Sequence, residues 1–208
     1  CIDDWNACVQ HRFVHELFAG SISDDVLRHD LVQVLRVVNR FVALLGAAIA
    51  SADVFAPRVT LSQFAAMITS DENTYFLRSF DVLGVPAAQR LQPALTAPTQ
   101  AFQQLMHDAA QSLNYANCIA VLAVAEGLYL DWADQPVKKH QPLPARFEHA
   151  EWITLHANDF FRGFVGWLRS ELDRVEATLN PAQKAEATQY FQRAVQLERQ
   201  FFDHVYAA

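Results

Sequence analysis

The chain has 208 residues, 52% hydrophobic and 19% charged, with a formal net charge of −7. That apolar share fills a core and excludes a disordered chain. The acidic balance repels phosphate backbones and anionic lipid, which predicts no nucleic-acid and no membrane-surface partner.

Six glycines and no alternating apolar pattern leave helical periodicity as the dominant signal. Residues 3–18 predict a first helix with Trp5, Cys8, Phe13, Leu17 and Phe18 near one side, ended by Gly20. Ser23 followed by Asp24 and Asp25 is an N-cap with acids in the first turn, opening a second helix to about residue 50. At ~1.5 Å per residue it spans roughly 40 Å. Its most apolar part, 31–50, is interrupted by Gln33, Arg36, Asn39 and Arg40, so no uninterrupted stretch of ~20 apolar residues predicts a membrane span. Pro57 marks a break. The sequence from Thr60 to Gln63 resembles a capping box and predicts a third helix to about Leu83, closed by Gly84 and Pro86. Residues 86–98 read as a loop, and a fourth helix follows Pro98 to about Leu113. The fifth covers 118–132, where every residue from Ile119 to Ala125 is apolar. Residues 136–144 read as a surface connection. A sixth helix is predicted over 147–173, and Asn180 and Pro181 open a last one reaching about Tyr206. The sum is an all-α chain, one domain over 1–208 with about seven helices.

Two acids break this pattern. Glu126 follows the seven apolar residues of the fifth helix, and burial there disfavours its charged form. Tyr129 lies three residues on, on the same helix face, so the two form a candidate acid/base pair. In the last helix Glu198 sits at helical spacing from Phe191, Ala194, Val195, Phe201 and Phe202, inside the apolar stripe. The expectation is that Glu126 and Glu198 share one cavity. The competing expectation is a structural carboxylate held by a hydroxyl or backbone donor.

Cys1, Cys8 and Cys118 are too few and too scattered for a disulfide framework or a metal knuckle. With no basic segment leading into an apolar run at the start, they predict a reducing, cytoplasmic setting. No cofactor is expected. His11 and His15, spaced i, i+4, allow a metal-dependent oxidase-type enzyme, but no matching carboxylate–histidine set appears elsewhere and the metal-free reading is favoured. His107, His140 and His204 read as surface or structural residues, and Asp131 and Asp134 as lying near an exposed helix end.

Several motifs in order resemble the thiaminase II (TenA) family. They are His11-Arg-Phe-Val14 with Gly20, then Leu31-Val-Gln33, Phe80-Asp-Val-Leu-Gly-Val85, Pro98-Thr99 with Phe102, Glu151-Trp-Ile153 with His156, and Glu198-x-x-Phe-Phe-Asp203 with Tyr206. The resemblance implies a haem-oxygenase-like helical fold and a homo-oligomer, dimer or tetramer. The family's catalytic Cys falls at Ala125, four residues before Tyr129. A Cys-less branch carries instead a Glu three residues before the Tyr, which is Glu126 here. That branch implies hydrolysis of an amino- or formylamino-pyrimidine in thiamin salvage, with Glu126, Glu198 and Tyr129 catalytic. The family's ring-holding Asp falls at Val34, its following aromatic at Val37, and its two pocket tyrosines at Phe102 and His156. These positions imply a small heteroaromatic ligand different from the family's usual one. The alternative is a non-catalytic protein binding a small ligand, or an interaction protein, on the same scaffold.

Overall fold

In a computed structural model, which describes residues 1–207, the apolar run 119–125 lies at the centre of the longest-buried helix, Tyr115–Lys138. All residues from 115 to 128 are buried, so no solvent face is left over most of its length. It packs against Asp24–Ser51, Ala97–Gln111, Asp159–Glu176, Pro181–His204 and the N-terminal Ile2–Val9. In chain order the elements are α1 (Ile2–Val9), α2 (Arg12–Ala19), α3 (Asp24–Ser51) and α4 (Phe55–Met67). A π-helical turn (Ile68–Glu72) then leads into α5 (Asn73–Val82). They continue as α6 (Ala87–Leu91), α7 (Ala97–Gln111), α8 (Tyr115–Lys138), α9 (Phe147–Leu155), α10 (Asp159–Glu176) and α11 (Pro181–His204). No strand occurs among the described residues. The buried apolar side chains form one contiguous cluster, with α3, α7, α8 and α11 around it.

The seven long helical spans read from the sequence are all present, several cut into shorter pieces for local reasons. Span 3–18 breaks at Gln10 because His11 caps α2, its Nδ1 accepting from Phe13 N at 3.1 Å. Span 147–173 breaks after Leu155 because Asn158 caps α10, accepting from Phe161 N at 2.9 Å. The capping box at Thr60 is not one: α4 starts at Phe55, and Pro57 sits in its first turn, where its missing N–H does no harm. The loop 86–98 contains the short α6, and α8 runs through Pro136 to Lys138 instead of ending near Trp132. Gly20 and Gly84 end their helices at positive φ, 66° and 65°. Both α3 and α8 are long and apolar enough to cross a membrane; in α8 89% of that apolar window is buried inside the protein.

Candidate functional site

A cavity of about 50 Å3 opens between α3, α7, α8, α11 and the π-helical turn. One enclosed water needs ~10–15 Å3, so the cavity has room for a few waters or one small group. All eight residues singled out from the sequence line it. Val34 and Val37 come from α3, Phe102 from α7, Ala125, Glu126 and Tyr129 from α8, His156 from the end of α9, and Glu198 from α11. Glu72, the last residue of the π-helical turn, lines the same cavity; from the sequence it is weighed only for a metal set and set aside, because Ser79 and not a histidine stands seven residues on. Trp152 and Phe201 complete the aromatic wall.

Helix geometry brings the acids in. Glu126 follows a run that must face inward on all sides, and Tyr129 is one turn further along α8. Glu198 lies three residues after Val195 and three before Phe201, both buried, so it shares their face. Glu72 obeys the same rule: Leu61, Phe64, Ile68, Glu72, Phe76 and Phe80 are all buried at steps of three or four. That stripe was the signal that finds it, as it found Glu198.

The three carboxylates are nearly removed from solvent, at 7%, 9% and 3% exposure for Glu72, Glu126 and Glu198. Among the described residues, none of the three makes a hydrogen bond or an ion pair. Burial pushes the Glu72 carboxyl up to about 8. Burial raises Glu126 well above the usual range, with the charges of Glu72 and Glu198 adding to it. Glu198 is raised by burial and then by Asp30. Asp30, fully buried on α3 with Oδ1 unpaired, is a further acid that the sequence reading passed over, although it stands between Leu27 and Val34 on the buried stripe.

Other buried acids show what satisfied ones look like. Glu171 accepts from Tyr115 Oη at 2.9 Å and pairs with Arg174 at 2.7 Å. Asp134, expected near an exposed helix end, is instead buried, because Arg162 reaches it at 2.7 Å and Lys138 also pairs with it. Glu148 is buried against Arg146.

His156 stands in an aromatic box, with ring centroids 4.5 Å from Trp152, 4.8 Å from Tyr129 and 5.1 Å from Phe161. Its Nδ1 lies 2.8 Å from the Trp152 carbonyl, which only accepts, so Nδ1 carries the proton and Nε2 is an acceptor. Burial lowers its basicity to about 4, so the ring is neutral. The Tyr129 phenol is pushed well up by removal from water and by Glu198, Asp30, Glu72 and Glu126. His11 is occupied elsewhere, capping α2 and facing Asp203 at 3.3 Å. No group of three or more His, Cys, Asp or Glu among the described residues is placed to hold a metal ion. Cys8 and Cys118 are buried away from the cavity, their thiols raised by burial, Cys118 to about 11.

Residues 2–208 match the sequence profile of the TENA/THI-4/PQQC family. The chain belongs to this family. A search of curated proteins finds no match. Solved structures of TenA proteins share the fold. A TenA family transcription regulator from Silicibacter sp. TM1040 is 17% identical over 99% of this chain and 92% of its own, with a TM-score of 0.85. A TenA homologue from P. horikoshii OT3 is 16% identical over 99% and 93%, at 0.84. A protein from Sulfolobus solfataricus P2, provisionally named a TenA-like thiaminase, is 15% identical over 99% and 92%, at 0.76. The TenA fold thus places α8 at the centre of this chain, with the cavity at its side.

Proposed function

We propose that this TenA-family protein is a hydrolase that removes an amino group from an amino- or formylamino-substituted pyrimidine or a similar small heteroaromatic, without a cysteine nucleophile. The observation that carries the reading is the pair Glu126 and Glu198 on one aromatic-walled cavity, both buried and both without a protein donor. Ala125 lines the cavity where a thiol nucleophile would be required, which leaves water as the nucleophile.

The electrostatics divide the roles. Burial raises both acids, and at Glu126 the charges of Glu72 and Glu198 add to it, so Glu126 is assigned the protonated role and Glu198 the ionised one. Glu126 therefore protonates the leaving nitrogen. Glu198 takes a proton from water as the water oxygen bonds to the carbon bearing that nitrogen. The C–N bond breaks, the amine leaves with the proton of Glu126, and proton return from Glu198 through solvent resets the pair. Tyr129 and His156 orient the ring, the histidine through its accepting Nε2, and Phe102 packs against the ring face.

The test is amine release from hydroxymethyl-aminopyrimidine's aminomethyl and formylamino precursors, followed by mass spectrometry. Turnover that falls at least 100-fold in Glu126→Gln and in Glu198→Gln supports the pair, since general acid/base catalysis supplies ~10²–10⁴. Turnover that survives both substitutions removes the mechanism. A melting shift with these rings but no turnover assigns the cavity instead to a small-ligand-binding protein.

A further inference from the structure

The two-carboxylate mechanism leaves one acid of the cavity unused. Glu72 ends the π-helical turn between α4 and α5, and single π-turns inside helices concentrate at functional sites. It is more than nine-tenths buried, lines the cavity and has no donor among the described residues. Two buried acids away from the cavity have partners, Glu171 with Arg174 and Tyr115 and Asp134 with Arg162 and Lys138, whereas Asp30 leaves Oδ1 unpaired. Apart from the other two acids, Tyr129 and His156, the lining of the cavity is apolar or aromatic. No Lys or Arg lines the cavity. When ionised the three carboxyl groups only accept hydrogen bonds, as does Nε2 of the neutral histidine, while the Tyr129 hydroxyl can both donate and accept.

Such a site leaves a neutral ring poorly matched, because a single amino group satisfies one carboxyl and leaves others bare. A cation with several coplanar N–H groups is matched: its charge offsets the acids, and an N–C–N edge meets a carboxylate through two parallel hydrogen bonds. We propose that Glu72 is the anchoring residue of this cavity, which pairs with a protonated N–C–N edge or amino group on a small planar ligand and so selects basic rings over neutral isosteres. This rests on the hydrolase reading for the location of the reacting centre and adds to it the charge class of the substrate and the residue that reads it. Glu72 is a specificity residue, with Glu126 and Glu198 left for proton transfer.

Benzamidine and benzamide test it, since they share shape and differ in charge. Titration calorimetry on the full chain at neutral pH is expected to show benzamidine bound at least tenfold more tightly than benzamide. Glu72→Gln keeps the side-chain shape and is expected to bring the two within threefold. Should that variant fold poorly, Glu72→Asp withdraws the carboxylate by one methylene. It is expected to weaken benzamidine about tenfold and leave benzamide unchanged. An unaltered preference in Glu72→Gln, or a wild type that prefers benzamide or binds neither, overturns the assignment. The hydrolase reading fails separately: a benzamidine preference that depends on Glu72, in a protein that turns over no aminopyrimidine, leaves the anchor standing and removes the reaction. Turnover that depends on Glu126 and Glu198, with an unaltered preference in Glu72→Gln, does the reverse.

Discussion

Replacing Glu72 by Gln is expected to stabilise the protein at neutral pH, with a pH dependence that identifies the cause. The carboxyl has an ordinary value of 4.5 and is pushed up to about 8 in the folded chain by burial. Below pH 4.5 it is protonated in both states and contributes no pH dependence. Above pH 4.5 the unfolded chain releases the proton while the folded chain holds it, so stability falls as pH rises, and the fall ends near pH 8. At about 1.4 kcal/mol per pH unit, the loss at pH 7 amounts to about 3 kcal/mol. Glutamine has the same shape and no proton to lose. The variant should therefore match the wild type near pH 4.5 and exceed it by up to about 3 kcal/mol at pH 7, a melting shift of roughly 6–12 °C for a chain of this size. The groups facing Glu72 do not mimic this difference. Glu126 on α8 and Glu198 on α11 are present in both proteins, His156 is neutral above about 4, and the Tyr129 phenol is raised far above this range. Urea denaturation of both proteins at pH 4.5, 6, 7 and 8 gives the two curves. Parallel curves would refute the reasoning, because they would mean that folded Glu72 ionises as freely as in the unfolded chain.

Three further outcomes are expected. His156 has a folded value of about 4 against an ordinary 6.5, so the folded state resists protonation and stability is lost as pH falls from 6.5 towards 4. His156→Phe should remove up to about 3 kcal/mol of that acid loss, and carbon-detected titration should find the wild-type ring neutral at pH 5. Gly127→Ala places a methyl 3.0 Å from Trp5 Cη2, so crowding of about 1–3 kcal/mol outweighs the ~1 kcal/mol gain in helix propensity; a melting point unchanged or raised would contradict this, and Trp5→Phe in the same chain should restore stability. Arg174→Met takes the cation from buried Glu171 and should destabilise the fold by about 2–3 kcal/mol, less than a fully buried pair because Arg174 is partly exposed; denaturation midpoints compared with wild type settle its size.

The all-α class and the seven helical spans were legible because their determinants are local: apolar periodicity, Ser23 and Asn180 as caps, Gly20 and Gly84 as stops. The cuts within the spans were less legible. His11 and Asn158 act as caps inside continuous apolar patterns, and a pattern alone does not reveal where the chain turns. Glu126 and Glu198 stood out because each is a single acid among apolar neighbours. Glu72 lies beside Asp71 in the polar stretch Thr69-Ser-Asp-Glu-Asn73 and reads as surface until the buried stripe from Leu61 to Phe80 is followed through it. Asp30 was hidden in the same way by His29 and Arg28.

Among the buried acids, convergence on one cavity says more than burial or a missing partner alone, since Asp30 is buried with Oδ1 unpaired and does not line that cavity. A buried carboxylate without a partner is unfavourable, and substituting a well-packed apolar side chain at such a place is often neutral or stabilising. Glu171 and Asp134 sit against arginines and a phenol or lysine, so their burial serves the fold. Glu72, Glu126 and Glu198 have no such donors among the described residues, and they converge on one cavity from three separate segments of the chain. Three independent packing errors would not point at a common space. The fold tolerates these three because the surrounding helices are apolar enough to hold them: α8 alone buries every residue from 115 to 128. On the proposed reading the missing donors are the ligand's to supply, and a ligand that brings several N–H groups at once should stabilise the folded state more the more carboxyls it satisfies.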